Sequence, residues 1–190
     1  MAAITISRQL GSLGDEVAQA AAACLGYQVI SRDLINQTAI KCGSPEIALS
    51  VIDDLSLFGF HPSQEVRQNF FNCMQKVMTD LAERGNIIIV GRAGQVILRE
   101  RTDVLHVKVI APSEVRADRI AHQLHIPLEA AQAQVDASDR NRRSYLKRYY
   151  RARWDDPELY DLILNTARLN AEQAATLICM ALSEAGLLPL

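Results

Sequence analysis

The opening segment of the chain, Ile4 to Glu16, constrains the fold more than any other. It runs from a short apolar strand, through Gly11 and Gly14, into an alanine-rich helix. In α/β proteins this order builds phosphate cradles, because glycines let backbone N–H groups converge on an anion at the positive end of the helix dipole. The segment therefore predicts a phosphate-binding turn in an α/β fold.

The turn departs from the usual phosphate-binding pattern, G-x-x-x-x-G-K-[ST], because it has no lysine. Gly14 stands at the lysine position, Glu16 stands at the hydroxyl position that would hold Mg²⁺, and Asp15 adds a second carboxylate. Negative side chains oppose phosphate binding, so another cation has to compensate for them. Arg8, directly after the strand, is the nearest substitute in the sequence.

Composition limits the classes of protein to consider. The 190 residues fit one domain, and 49% apolar with 22% charged residues is typical of a globular chain. A net charge of −2 excludes a general polyanion binder, so nucleic-acid affinity would require a local basic patch. The start lacks the features of a signal peptide, and no apolar run reaches the roughly 20 residues of a membrane span. We expect no membrane partner.

The cysteines Cys24, Cys42, Cys73 and Cys179 are far apart and have no histidine at metal-ligand spacing. They are typical of free thiols in a reducing cytoplasm. The sequence therefore predicts a cytoplasmic protein without a protein-held metal, and it leaves a homo-oligomer open.

Strand and helix patterns alternate along the chain, which favours a parallel sheet covered by helices. The first helix is predicted from about Leu13 to Leu25, with a cap at Gly26, and a second from residue 66 to Gly85. A third is predicted from Pro112 to about Tyr150, with a break near residues 125–127. The last helix is predicted to begin at Asn170 and to carry a buried apolar stripe. The stripe consists of Leu177, Ile178 and Leu182. The predicted strands are Ala3–Ile6, Tyr27–Ile30, Asn86–Val90, Val104–Ile110 and Leu162–Leu164. Residues 33–84 are predicted to form a helical insertion, either a flap or an extra layer on the core.

A basic arm occupies about residues 112–153. Arg140, Arg143, Lys147 and Arg151 follow at spacings of three and four, which places them on one helix face where like charges repel. This basic face has three possible roles. It is a solvated surface neutralised by nearby aspartates, or a nucleic-acid contact with interleaved tyrosines. In the third case it belongs to a mobile arm that brings arginines over a polyphosphate.

The chain resembles the cytidylate kinases, and within them a divergent cytidylate kinase-like branch, over nearly its whole length. The resemblance implies a three-layer α/β/α sandwich with a five-stranded parallel sheet, as in P-loop nucleoside monophosphate kinases, and a single domain with residues 33–84 on the acceptor side and residues 112–153 as a lid. The matching segments are residues 4–23 (I-T-I-S-R, then G-S-x-G and the alanine-rich helix), 31–35 (S-R-D-L-I), Gly91-Arg92, 139–145 (D-x-x-R-x-x-Y) and 160–166 (Y-D-L-I-L-N-T).

For the phosphate donor, the resemblance implies that Gly11, Ser12 and Gly14 cradle phosphates with their backbone N–H groups. Arg116 and Arg119 match a region near the donor adenine and the lid hinge, although each also suits an exposed surface ion pair.

For the acceptor nucleotide, the resemblance implies contacts from Arg92, from Asp139 to the ribose and from Arg142 to the phosphate. Asp33 matches the acidic residue that follows the second strand. One acceptor contact is lost, because Ala93 replaces the aspartate that follows Gly-Arg in cytidylate kinases.

The resemblance implies ATP- and Mg²⁺-dependent phosphoryl transfer to a pyrimidine nucleoside monophosphate, CMP or dCMP foremost. Arg8, Arg140 and Arg142 would neutralise charge together with Arg92 as the arm closes. Because the lysine is missing, a nucleotide-binding protein without turnover is a second hypothesis. A nucleic-acid contact through the arm is a third.

Overall fold

The computed structural model describes residues 2–30 and 64–187. Within these ranges strands and helices alternate along the chain, as the sequence predicts. The strands are β1 (Ala3–Arg8), β2 (Gln28–Ile30), β3 (Ile87–Val90), β4 (Val104–Ile110) and β5 (Leu162–Asn165). The helices are α1 (Gly14–Leu25), α2 (Gln64–Arg84), α3 (Gly94–Ile97), α4 (Ser113–Leu124), α5 (Leu128–Tyr150) and α6 (Ala171–Glu184), with a 3-10 turn at Pro157–Leu159.

The strands form one parallel sheet of five, in the order β2-β3-β1-β4-β5. The central strand β1 pairs on one side with β3 and on the other with β4, so that Ile6 lies between Val90 and Val107. Strands buried on both faces are nearly continuous in apolar character, which is why the sequence revealed them. The prediction of a five-stranded parallel sheet is confirmed.

Helices cover both faces of the sheet. Alternate β1 residues Ile4 and Ile6 point into a core shared with α1 and α6. Ile87 and Ile89 of β3 point to the other face, into a second core shared with α2. The period-two alternation of the strands therefore separates two apolar cores, and the predicted three-layer sandwich is confirmed.

The ends of two helices follow their capping residues. Gly26 caps α1 at φ 68°, and Asn170 begins α6 with a capping box completed by Gln173. The predicted buried stripe of α6 is wrong at Leu177, which is 39% exposed. Burial follows Ala174, Ala175, Ile178 and Leu182, at helical spacings of one, three and four, and Leu177 lies beside that line.

The long predicted helix from Pro112 breaks as expected, because His125 ends α4 in the left-handed region and Pro127 precedes α5. Of the predicted insertion, α2 is seen, whereas Asp33 and residues 31–63 lie outside the described residues. In the described ranges no helix combines the length and the apolar character needed to cross a membrane.

Candidate functional site

A cavity of about 440 Å³ opens where the central strands end. Its wall combines residues from the end of β1, from the turn after β3, from α5 and from the segment after α5. Arg8, Arg92 and Arg142 all line it, one from each of the first three elements. Ligands of open parallel sheets bind outside the carboxyl ends of the strands, so the fold and the cavity indicate the same place. Three guanidinium groups make the cavity suited to a polyanion.

The glycine turn between β1 and α1 has its carbonyl groups held by the protein. The backbone N–H of Ser12 donates to Gln9 O at 3.3 Å. With that N–H and the carbonyl oxygens engaged within the protein, the remaining backbone N–H groups are what the turn offers to an anion. The four contacts are Ser12 Oγ to Gln9 O at 2.9 Å, Arg116 Nη1 to Leu10 O at 3.3 Å, Arg119 Nη1 to Gly11 O at 3.1 Å, and Thr166 Oγ1 to Ser12 O at 2.9 Å.

Both glycines of the turn are required by close packing. Gly11 has φ +76°, and a Cβ there would lie 2.7 Å from the backbone oxygen of Arg116. A Cβ on Gly14 would lie 2.3 Å from the Cβ of Arg8. Leu13, between the two glycines, adopts φ 60°, a region that costs an ordinary residue roughly 1–2 kcal/mol.

Arg8 occupies the space that these glycines leave. Its Nε donates to Asp15 Oδ1 at 3.2 Å, and a Cβ on Gly91 would lie 2.8 Å from its Nη1. The side chain is 19% exposed and lines the cavity. Asp15, which the sequence left unexplained beside a phosphate site, therefore pairs with the cation nearest the turn.

The turn after β3 carries backbone strain. Gly91, Arg92 and Ala93 have φ values of 81°, 53° and 57°. Ordinary residues held in this region cost of order 1–3 kcal/mol each and persist where the surroundings fix them, as functional sites often do. The strained turn places Arg92, which is 7% exposed, in the wall of the cavity.

The arm helix α5 contributes Arg142, which donates to Ser138 one turn earlier and lies with its guanidinium carbon 5.9 Å from the ring centre of Trp154. Arg140, two residues away, is exposed and lies outside the cavity lining. The structure therefore brings Arg8, Arg92 and Arg142 together and leaves Arg140 on the surface of the arm.

Asp139 and Arg116 lie behind the glycine turn and contact each other. Arg116 donates from Nη2 to Asp139 Oδ2 at 2.9 Å and from Nη1 to Oδ1 at 3.2 Å, and the two side chains are 4% and 9% exposed. Arg116 also donates to the carbonyl of Ala111, while Arg119 donates to Gly11 and to both oxygens of Thr166. In this structure these groups support the turn.

The family model of the cytidylate kinase-like family matches residues 3–168. The chain belongs to the cytidylate kinase-like family. It is 26% identical to a cytidylate kinase of Pyrobaculum calidifontis over 189 residues, which cover 96% of each chain. It is 27% identical to a cytidylate kinase of Sulfolobus acidocaldarius, covering 97% of this chain and 96% of the relative.

Solved structures agree on the fold of this family member. A protein from Eubacterium ventriosum aligns with TM-score 0.76 at 21% identity, covering 96% of this chain and 98% of that one. A shikimate kinase from Acinetobacter baumannii aligns with TM-score 0.55 at 16% identity over 99% of this chain and 96% of its own. Family and fold together support a nucleotide kinase activity.

Trp154 and Lys108 are site features of this family member that the sequence reasoning missed. Trp154 is 2% exposed, lines the cavity and donates from Nε1 to Ser7 Oγ at 2.9 Å. Lys108 of β4 is buried against it, and burial lowers the pKa of the Lys108 ammonium while Asp155 opposes that shift. Burial also raises the pKa of the neighbouring Tyr160 to about 12, so its hydroxyl stays protonated. A charged residue inside the apolar run of residues 104–110 was the available signal.

The tyrosines of the arm pack within the protein. Tyr145 and Tyr149 have ring centres 5.4 Å apart, and Phe71 of α2 lies 5.4 Å from both Tyr149 and Tyr150. Burial raises the pKa of Tyr150 well above its ordinary range. This aromatic cluster joins the end of α5 to α2 on the wall of the site.

Proposed function

We propose that this protein transfers the γ-phosphoryl group of ATP to a pyrimidine nucleoside monophosphate, CMP or dCMP foremost. The observation that carries the proposal is the convergence of Arg8, Arg92 and Arg142 on one cavity beside the glycine turn. Phosphoryl transfer needs mainly positioning and neutralisation of charge, which such a cavity supplies. The family, and relatives that are cytidylate kinases, support the choice of acceptor.

On the donor side, the N–H groups of Gly11 and Gly14 bind the ATP phosphates, whereas the N–H of Ser12, predicted to join them, donates to Gln9 O. Arg8 supplies the positive charge that a lysine gives in the usual turn, since it lies against the turn and lines the cavity. Mg²⁺ prefers oxygen ligands, which the ATP phosphates supply, and it would neutralise part of their charge.

On the acceptor side, Arg92 and Arg142 hold the acceptor phosphate, and Asp33 contacts the acceptor nucleotide. The acceptor phosphate is already anionic near neutral pH, so the transfer needs no general base. Arg140 approaches only when the arm of residues 112–153 closes over the cavity. Asp139 holds Arg116, and Arg116 and Arg119 stabilise the conformation of the glycine turn through their bonds to its carbonyl groups. The free thiols Cys24, Cys73 and Cys179 are in keeping with a cytoplasmic setting.

The proposal is tested by measuring ADP release with ATP, Mg²⁺ and a panel of CMP, dCMP, UMP, AMP and GMP. We expect release above the ATP-only background with CMP or dCMP. Silence across the panel by folded protein would contradict the proposal.

A second candidate is a nucleotide-binding protein without turnover, which the missing lysine and the Arg8–Asp15 pair favour. Such a protein gains thermal stability with ATP or CMP because ligand stabilises only the native state, yet it gives no product. A nucleic-acid contact would differ from both, because its affinity falls steeply with salt and ignores free CMP.

A further inference from the structure

Lys108 is an ammonium group buried in the middle of the sheet. The residue is 5% exposed on β4, in a run that is apolar apart from His106. Burying a lysine is costly unless it is paired, so its partners indicate what it is kept for. Its Nζ donates to the backbone oxygen of Trp154 at 2.7 Å and to Asp155 Oδ1 at 3.2 Å, and it lies 4.7 Å and 5.0 Å from the ring centres of Trp154 and Tyr160.

Trp154 is held from two neighbouring strands at once. Lys108 of β4 binds its carbonyl, while Ser7 of β1, directly opposite Lys108 in the strand register, accepts its indole N–H at 2.9 Å. The hydroxyl of Tyr160 donates to the same carbonyl at 2.9 Å. Ser7 precedes Arg8, so these bonds fix Trp154 relative to the first arginine of the cavity.

The Trp154 ring also lies near the arm helix. The guanidinium carbons of Arg142 and Arg143 each lie 5.9 Å from its centre, within the range of a cation–π contact. Arg143 also donates to Asp155 Oδ2 at 2.6 Å, the carboxylate that Lys108 binds through its other oxygen. One indole thus joins the sheet to the arginines of the arm.

We propose that Lys108 and Trp154 are positioning residues that hold Arg142 in place on the wall of the cavity that Arg8 also lines. Lys108 lies outside the cavity lining, so it acts on a bound anion only through Trp154 and the arm. The inference rests on the proposed function in identifying the physiological anion as a nucleotide phosphate. The arrangement itself predicts a site for any compact polyanion, with or without turnover.

The test uses inorganic pyrophosphate, a polyanion without a nucleobase, whose binding depends on the arginines of the cavity. Trp154 is the only tryptophan of the chain, so the intrinsic fluorescence reports this contact alone. In the wild-type chain we expect pyrophosphate to change the emission of Trp154, and Arg142→Ala to abolish the change. Lys108→Met, which keeps an unbranched apolar side chain, should raise the dissociation constant about 3- to 10-fold, as expected for the loss of one buried contact.

Two further variants and a control sharpen the result. Ser7→Ala and Trp154→Phe remove the same hydrogen bond, so calorimetry should show similar losses of pyrophosphate affinity that do not add in the double variant. Arg148→Ala, an exposed cation on the same helix, should bind like the wild type. In kinase assays the variants should raise KM for the acceptor and leave KM for ATP within about twofold, whereas general loosening would raise both.

Wild-type affinity in folded Lys108→Met would overturn the inference, as would additive losses in the double variant or a wild-type chain that does not respond to pyrophosphate. If Lys108→Met does not fold, the comparison of Ser7→Ala with Trp154→Phe decides. If the variants lose pyrophosphate affinity as predicted but the wild type releases no ADP, the proposed function is refuted and the positioning role stands. If every variant turns over like the wild type, the positioning role is refuted and the proposed function stands.

Discussion

Asp139 gives the sharpest test of what the buried ion pair does, because the family resemblance and the structure assign it different partners. The Arg116 and Asp139 side chains are 4% and 9% exposed and share two hydrogen bonds. Removing one partner of a buried pair costs about 3–5 kcal/mol. Arg116 keeps its bonds to the carbonyls of Leu10 and Ala111 in Asp139→Ala. We therefore expect a loss of about 3 kcal/mol, at the lower end, or roughly 6–12 °C in Tm for a chain of this size.

Urea denaturation followed by circular dichroism measures this free energy of unfolding. Asp136→Ala, an exposed aspartate on the same helix, is the control and should stay within about 0.5 kcal/mol of wild type. Replacing both partners with Arg116→Met and Asp139→Leu should recover most of the stability. It should not recover nucleotide affinity, because the carbonyl of Leu10 then lacks its donor. A loss below about 1 kcal/mol in Asp139→Ala, together with a large loss of acceptor affinity, would refute this reasoning and favour a direct ribose contact.

Two other predictions concern the turn and the sheet. Gly11→Ala and Gly26→Ala both force a side chain into the left-handed region, but only at Gly11 does the new Cβ meet backbone. In a thermal-shift assay, Gly11→Ala should therefore lose more stability than Gly26→Ala, and it should also lose ATP affinity. Equal losses of stability would refute the packing argument. Burial lowers the pKa of His106 below its usual value near 6.5, so the unfolded chain takes up a proton that the folded chain does not. The free energy of unfolding should therefore fall as pH drops below about 6.5, and His106→Asn should flatten that slope; an unchanged slope would contradict this assignment.

The sheet and the turn could be predicted because their signals are local. Apolar runs mark buried parallel strands, and Gly11 and Gly14 mark close backbone approach. Leu177 was misplaced because neighbouring positions on a helix differ by about 100°, and sequence alone does not fix which of them faces the core.

Three of the predicted arginines share one cavity. Arg8, Arg92 and Arg142 come from matched motif positions and do line one cavity. Arg116 and Arg119 were assigned to the nucleotide, yet they donate to carbonyls of the protein. A sequence pattern gives the residue type and not the acceptor it faces, and Arg116 is more than a hundred residues from Leu10.

The role of Lys108 was beyond sequence reasoning for the same reason. Its contacts with Trp154 and Asp155 join residues that are 46 and 47 positions apart, and they exist only once β4 and the end of the arm have come together. A tryptophan and a lysine at such a distance carry no spacing signal.

Whether the protein uses the arginine cavity to transfer a phosphoryl group to a pyrimidine monophosphate is tested most directly by CMP-dependent ADP release. The rate is measured in the wild type, in Arg142→Ala and in the exposed control Arg148→Ala. We expect release in the wild type and the control, and a loss of about tenfold or more in Arg142→Ala, as expected for one charge-assisted contact. Equal rates in wild type and Arg142→Ala, or no release from folded wild-type protein with Mg²⁺ present, would contradict it.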